Sequence, residues 1–385
     1  MSQIPQRQAY GMALADYGAV NPDVVVLEAD VSTSTLTRYF ADRYPDRFFN
    51  VGVAEASMVD IGVGLALGGL IPFVNTFAAL LTLRACEQIR TCVAYARTNV
   101  KLIGGYSGLS DYKDGPTHFA VNDVAIMRAM PDMVVVAPAD NVEAARMVPV
   151  IAEYDGPVYM RISRAVVPDV FTEAHTVQLG KGVTVRQGND VTLIGSGSMV
   201  ARCVQAADAL AQEHIQARVL AVHTIKPLDV DLIRQAAEET GALVTAEDHL
   251  IIGGLGRTLT FERHYSAIGF LGQHAMAGAR GAIMAHSYSS LGIQNLRING
   301  RNVGEIETRA ALAGAFGTPV IFLSGDRAAA EELKAIVPEA ETIAVKDGLA
   351  RHTCISMSAE MARRVIREAA RRAVAKLGEV RPYRI

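Results

Sequence analysis

The sequence predicts an α/β fold, a doubly wound parallel sheet followed by a second α/β region, and three observations predict it. Half of the 385 residues are hydrophobic and only 20% are charged, the balance of a chain whose sheets are covered on both faces. Short β-branched runs alternate with longer segments of helical spacing. The 33 glycines fall mostly at element ends, where turns need them.

Residues 5–20 have helical spacing, and Asp23 to Leu27 is a β-branched run that ends in Glu28-Ala29-Asp30. A strand whose C-terminal end delivers Asp30 and the hydroxyls of Ser32, Thr33, Ser34 and Thr35 is a usual place for ligand contacts in open α/β sheets. A polar loop capping the next helix is the alternative reading. A helix over 54–69, a strand over 71–76, a helix over 78–97 and strands at Val100 to Gly104 and Met133 to Ala137 then follow. Gly104 to His118 is a long glycine-rich loop, and loops of that length in compact domains carry function or are disordered.

Periodicity is lost over 165–182, which reads as a linker. A second α/β unit follows, with strands near Val191 to Gly195, Ala217 to Ala221 and Ala242 to Ala246. Gly195-Ser-Gly-Ser-Met199 lacks both the third glycine of a dinucleotide fingerprint and the Lys-Ser/Thr of a P-loop, so it reads as a strand-to-helix turn. The last helix, Met361 to Lys376, carries five arginines without interleaved aromatics, as a solvated face does.

Bulk properties narrow the function. A formal net charge of −3 gives no reason to expect nucleic acid or an anionic membrane as partner. Cys86, Cys92, Cys203 and Cys354 are scattered, which argues against a disulfide framework or a cysteine zinc site and for a reducing compartment. The N-terminus lacks the charged start and apolar core of a secretory signal, and the expected location is cytoplasmic. Residues 61–83 carry no charge, but Gly68-Gly69, Pro72 and Asn75 break them into helix, turn, strand and helix rather than a membrane span.

The stretch from Asn50 to Asp60 sets a lone acid, Glu55, between a glycine-containing turn and an apolar helix. Spacing alone leaves it either a helix-surface acid favoured by the helix dipole or a buried proton handler. Its neighbours extend the pattern: Asp46 to Met58, Ile71 to Ala78, Arg84 to Arg90, Asp114-Gly-Pro-Thr-His118, Met127 to Met133, Ala137 to Asp140 and Gly156 to Arg164. These seven ordered blocks together resemble the pyrimidine-binding domain of the transketolase family.

The resemblance implies thiamine diphosphate as cofactor, with the protein holding it and setting its protonation state. It makes Glu55 the carboxyl group on N1′ of the aminopyrimidine, and Phe77 a stacking surface for that ring. Leu80 stands where many relatives have a second aromatic. His118 matches a substrate-facing histidine suited to proton transfer; a loop histidine capping backbone groups is the bland alternative. Arg164 and Arg161 match guanidinium positions near the sugar-phosphate end, and Asp30 joins them as a substrate contact. No Gly-Asp-Gly with a following Asn occurs in the chain. The diphosphate and Mg2+ are therefore expected to be held mainly by a separate diphosphate-binding transketolase subunit, the substrate being a sugar phosphate and the reaction two-carbon ketol transfer.

The likeness continues through Ala246 to Gly256, which resembles the transketolase C-terminal domain, and stops within about ten residues of Arg257. From there the blocks Ile268 to Gly278, Ala285 to Ser290, Arg297 to Glu305, Ala311 to Val320 and Ser324-Gly-Asp326 resemble the C-terminal part of zinc-dependent D-aminopeptidases. By that resemblance His274 and Glu305 are Zn2+ ligands and His286 a catalytic residue. The family's other ligands have no counterpart in the sequence, and Glu307 departs from the motif.

The expected organisation is a pyrimidine-binding domain over 1–165, a linker over 166–182, a partial transketolase C-terminal domain over 183–256 and a D-aminopeptidase-like segment over 257–385. Three classes stay open: a transketolase-like subunit, a zinc aminopeptidase, and a non-catalytic fusion or assembly protein. A homo-oligomer is expected, because partial domains leave apolar faces and strand edges to cover.

Overall fold

The computed structural model describes residues 4–110, 113–256, 267–276, 279, 282, 296–350 and 353–385. The chain divides into two compact units, Met1–Phe261 and Glu262–Ile385.

In the first unit the strands are β1 (Val24–Glu28), β2 (Phe48–Asn50), β3 (Ile71–Phe77), β4 (Lys101–Gly105), β5 (Val134–Val136), β6 (Val158–Arg161), β7 (Val183–Arg186), β8 (Val191–Gly195), β9 (Ala217–Ala221), β10 (Thr224–Lys226) and β11 (Leu243–Ala246). The helices are α1 (Gln6–Val20), α2 (Ser32–Thr35), α3 (Arg38–Arg43), α4 (Glu55–Leu67), α5 (Ala78–Arg84), α6 (Cys86–Gln88), α7 (Asp123–Ala129), α8 (Asn141–Glu153), α9 (Met199–Ala211) and α10 (Val230–Thr240).

A seven-stranded sheet runs β10-β5-β6-β4-β3-β1-β2, parallel except for β10, which pairs antiparallel with β5. Its strands are continuous apolar runs because both faces are covered. Tyr10, Leu14 and Ala15 of α1 and Met147, Val148 and Ile151 of α8 share one core with Phe73 and Val158. Met58 and Val59 of α4, Leu81 of α5 and Val124 of α7 share the other with Val74 and Leu102. The doubly wound architecture follows. The helix expected over 78–97 is broken after Arg84 into α5, α6 and a π-helical segment Ile89–Tyr95, a break that apolar periodicity does not register.

Strands β11-β8-β9-β7 form a second sheet, with β7 antiparallel to β9 at its edge. The segment without periodicity is tied down by two helix-capping acids. Asp140 caps α8 by accepting from Glu143 N at 2.8 Å and also accepts from Val170 N and Phe171 N at 2.7 and 2.8 Å. Asp229 caps α10 and accepts from Gly182 N at 3.1 Å. Each acid satisfies helix-end and linker amides at once.

In the second unit the strands are β12 (Ile268–Gln273), β13 (Arg297–Ile298), β14 (Arg301–Asn302), β15 (Val320–Asp326), β16 (Glu341–Ala350) and β17 (Thr353–Ser356). Its helices are α11 (Glu305–Ala315), α12 (Arg327–Ile336) and α13 (Ala359–Ala375). The sheet runs β12-β15-β16-β17, with β17 antiparallel. Phe270, Ile306, Val320, Leu323, Leu333 and Ala369 meet in one core. The arginine-rich α13 buries only Ala369 and Ala373, so its Arg363, Arg364 and Arg367 lie on the solvated face. No helix among the described residues is long and apolar enough to cross a membrane.

Candidate functional site

Chemistry-bearing residues of the first unit gather where β1, β3 and β4 end. Phe77 ends β3 and precedes α5. Its ring centroid lies 4.5 Å from that of Tyr106 and 5.6 Å from the imidazole of His118, which meets it edge-on. The Arg164 guanidinium sits over the Tyr106 ring, 4.8 Å from its centroid, and its Nη1 lies 3.6 Å from Asp114 Oδ2. Arg7 Nη1 donates to Tyr106 Oη at 2.8 Å and to Ser34 O at 2.7 Å. Two expected site residues, Phe77 and Arg164, therefore meet one phenol ring, and the third, His118, meets Phe77.

Neither Tyr106 nor Arg7 stands out in the sequence. The available signal for Tyr106 is an aromatic directly after a strand that ends in Gly-Gly, at the mouth of a long loop. It holds a left-handed conformation at φ 60°, strain that a non-glycine residue keeps only where its surroundings fix it.

Glu55 is the first residue of α4, and its side chain is 4% exposed. Arg84 at the end of α5 donates from Nη1 to Glu55 Oε1 at 2.9 Å, while Glu55 Oε2 has no partner among the described residues. Leu80 is half-buried in the first turn of α5, three residues after Phe77. Asp30 is exposed at the end of β1; its N–H donates to Asn50 Oδ1 at 3.0 Å and its Oδ1 accepts from Asn50 Nδ2 at 2.9 Å.

Arg161 is engaged largely within the chain. It is 7% exposed, and its Nε donates to Asp123 Oδ2 at 2.9 Å and its Nη2 to Asp123 Oδ1 at 3.1 Å. The remaining contacts go to Ala120 O and Asp248 O, and Tyr159 Oη donates to the same Asp123 at 2.7 Å. Its neighbours pull the second α/β region against the first sheet: Leu109 N donates to Asp248, and Leu250 N to Val121 O at 2.8 Å. His249 Nε2 accepts from Ala125 N at 3.3 Å. The Glu247-Asp-His249 motif is thus a clasp, and Gly253 is required in it: at φ +73°, a Cβ there would lie 2.4 Å from Ala125 Cβ.

Two buried groups near the sheet have displaced proton affinities. Burial raises Glu28 to about 7, opposed by the hydroxyls of Thr35 and Thr37; its Oε2 is buried without a partner. Burial lowers Lys101 to about 7, although its Nζ donates to Asn99 Oδ1, Tyr154 O and Gly156 O.

In the second unit one expected zinc ligand, Glu305, is held by a guanidinium. The Glu305 carboxylate, 4% exposed, pairs with Arg309 Nη2 one helical turn on, and Arg309 Nη1 reaches Gln273 Oε1 at 3.1 Å. Glu307 pairs with Arg301 and accepts from Tyr383 Oη at 2.5 Å. His274 Nδ1 lies 3.0 Å from Ala275 O, and His286 lies outside the described residues. Among the described residues no group of three or more His, Cys, Asp or Glu is placed to hold a metal ion. A guanidinium on the would-be ligand is the opposite of what a divalent cation needs, so zinc does not fit this arrangement.

Comparison with known proteins finds three family matches. The transketolase pyrimidine-binding domain matches residues 2–169 and the transketolase C-terminal domain residues 180–264. A D-aminopeptidase family matches residues 254–385. The 6-deoxy-6-sulfo-D-fructose transketolase subunit SqwH of Clostridium sp. (strain MSTE9) is 40% identical over 250 residues, covering 65% of this chain and 78% of that protein. A putative transketolase C-terminal section of Methanocaldococcus jannaschii is 41% identical over 252 residues, covering 65% and 79%. A solved split-gene transketolase, described as an inactive β4 tetramer, superposes with a TM-score of 0.63 at 42% identity, covering 67% of this chain and 85% of that one. With the sheet order, the clasp and the gathered residues at the strand ends, these likenesses place the chain in the transketolase family, as a C-terminal subunit that carries a D-aminopeptidase-like segment.

Proposed function

We propose that the chain is the pyrimidine-holding subunit of a two-chain transketolase that moves a two-carbon ketol group between sugar phosphates. It would work with a diphosphate-binding subunit that holds most of the diphosphate and Mg2+. The observation that carries this reading is Glu55: a carboxylate 4% exposed, one oxygen held by Arg84 and the other without a partner. The open oxygen can share one proton with an aminopyrimidine ring nitrogen, the carboxyl donating when it carries the proton and accepting when the ring does. The residues present therefore fit thiamine diphosphate.

When bound, the cofactor supplies the carbanion chemistry. Glu55 then holds a proton against the ring nitrogen, an acid–base task suited to a fixed carboxyl. Phe77 offers the ring an aromatic edge, with Leu80 an aliphatic neighbour on the helix that follows it. His118, against Phe77, handles a proton at the sugar oxygen. Arg164 and Arg7, gathered on Tyr106, supply the positive charge that an anionic substrate end needs, and Asp30 stands at the mouth of the same strand ends. Arg161, most of whose donors go to Asp123, Ala120 and Asp248, positions the clasp.

The partner is supported by α4 and its surroundings. Ile61, Leu67, Leu83 and Tyr95 are 44, 77, 56 and 82% exposed, yet α4 is apolar on most of its circumference, as helices buried by a neighbour are. A covering subunit, another copy of this chain or both would exclude water from Glu55. Glu55→Gln keeps the shape of the side chain and removes its proton chemistry. In the assembled enzyme this variant is expected to lose on the order of a hundredfold or more in kcat, with an unchanged melting curve. Wild-type turnover by this variant would remove the assignment.

A further inference from the structure

The reading of Glu55 leaves Arg84 unexplained. Its side chain is 52% exposed, so no core demand holds it, and the half-exposed pair contributes little to stability. Yet among the described residues it is the one hydrogen-bond donor to the Glu55 carboxylate. The two residues lie on different helices that pack together, the acid on the first residue of α4 and the guanidinium on the last of α5. Helix α5 begins directly after Phe77. Seven residues at about 1.5 Å each make a rod of about 10 Å, with the aromatic edge at one end and the guanidinium at the other.

We propose that Arg84 is a positioning residue for Glu55, fixing which carboxylate oxygen is offered to the cofactor; this rests on the reading of Glu55 given above. An unheld glutamate carboxyl rotates freely about its last torsion, because that torsion is broad and roughly two-fold. Arg84 takes Oε1 and leaves Oε2 as the open acceptor. Because the guanidinium is carried on the helix that follows Phe77, one rigid element sets both the stacking edge and the orientation of the acid. Such preorganisation lowers the ordering cost of binding and does not depend on contact between Arg84 and the ligand.

The test is calorimetric titration of thiamine diphosphate with Mg2+ into the full chain mixed with the diphosphate-binding subunit of a split transketolase. Wild type, Arg84→Gln, Arg84→Lys, Glu55→Gln and the double variant Arg84→Gln/Glu55→Gln are compared. Arg84→Gln is expected to weaken cofactor affinity about three- to fivefold, the scale of a half-exposed ion pair, and Arg84→Lys to restore most of it. In the Glu55→Gln background the change at 84 is expected to have no further effect, which a purely structural role would not produce. Equal affinities for wild type and Arg84→Gln, or the same loss with and without the Glu55 carboxylate, would overturn the proposal while leaving the role of Glu55 standing. Absence of binding by the wild-type mixture would instead overturn the proposed function, and the role of Arg84 with it.

Discussion

Tyr106 and Arg161 show how residue types and residue places come apart. Sequence resemblance singled out Arg161 as a guanidinium near substrate, and in the structure it also bonds Asp123, Ala120 and Asp248. Tyr106 went unremarked, yet Phe77, Arg164 and Arg7 all meet it. A motif gives the residue type, whereas the partner that consumes a hydrogen-bonding group comes from elsewhere in the chain. Glu28 is a third residue invisible to pattern, because an acid at the end of an apolar strand reads the same whether exposed or buried. Its carboxyl is raised by burial to about 7, so the folded state binds its proton more tightly than the unfolded chain does. The resulting stability is fully present below about pH 4.5 and is lost as pH rises through about 7. Denaturant unfolding at a series of pH values should show wild type losing stability over that interval relative to Glu28→Gln. Parallel pH curves for the two proteins would contradict the placement of Glu28.

Elements were legible wherever a strand is a continuous apolar run or a helix has a clear face. The expected strands at Val191 to Gly195 and Ala217 to Ala221 coincide with β8 and β9, and the strand expected at 71–76 is β3 with one more residue. Strand β10 was not legible: three residues cannot display a period, and its place in the first sheet depends on pairing with β5 across the clasp. The break after Arg84 was equally hidden, although it puts the guanidinium where Glu55 needs it. Close packing of α5 on β4 depends on Gly104, where a Cβ would lie 2.6 Å from Tyr159 Oη and 2.9 Å from Ala78 Cβ. Gly104→Ala is expected to cost about 1–3 kcal/mol and to weaken cofactor binding by displacing the end of β3 and the start of α5. Urea denaturation that matches wild type would show that the contact is looser than described.

For the whole molecule, the sequence marked the change of family near Arg257, and the two compact units part at Phe261. What it left open was whether the second unit keeps a metal site. Among the described residues, Arg309 pairs with Glu305, and Arg301 and Tyr383 engage Glu307. The purified chain, stripped with a chelator and reloaded, is expected to carry less than about 0.1 zinc per chain by elemental analysis, because such a site needs about three free ligands per ion. One zinc per chain would restore the aminopeptidase reading. The first unit, by contrast, presents an open acid beside an uncovered apolar helix, and that half-built site is the centre of the account. The most direct measurement is a titration of thiamine diphosphate and Mg2+ into the chain alone, then into the chain mixed with the diphosphate-binding subunit of a split transketolase. Saturable binding only in the mixture, lost or strongly weakened by Glu55→Gln, is the predicted result. Equal tight binding by the chain alone, or none in the mixture, would contradict it.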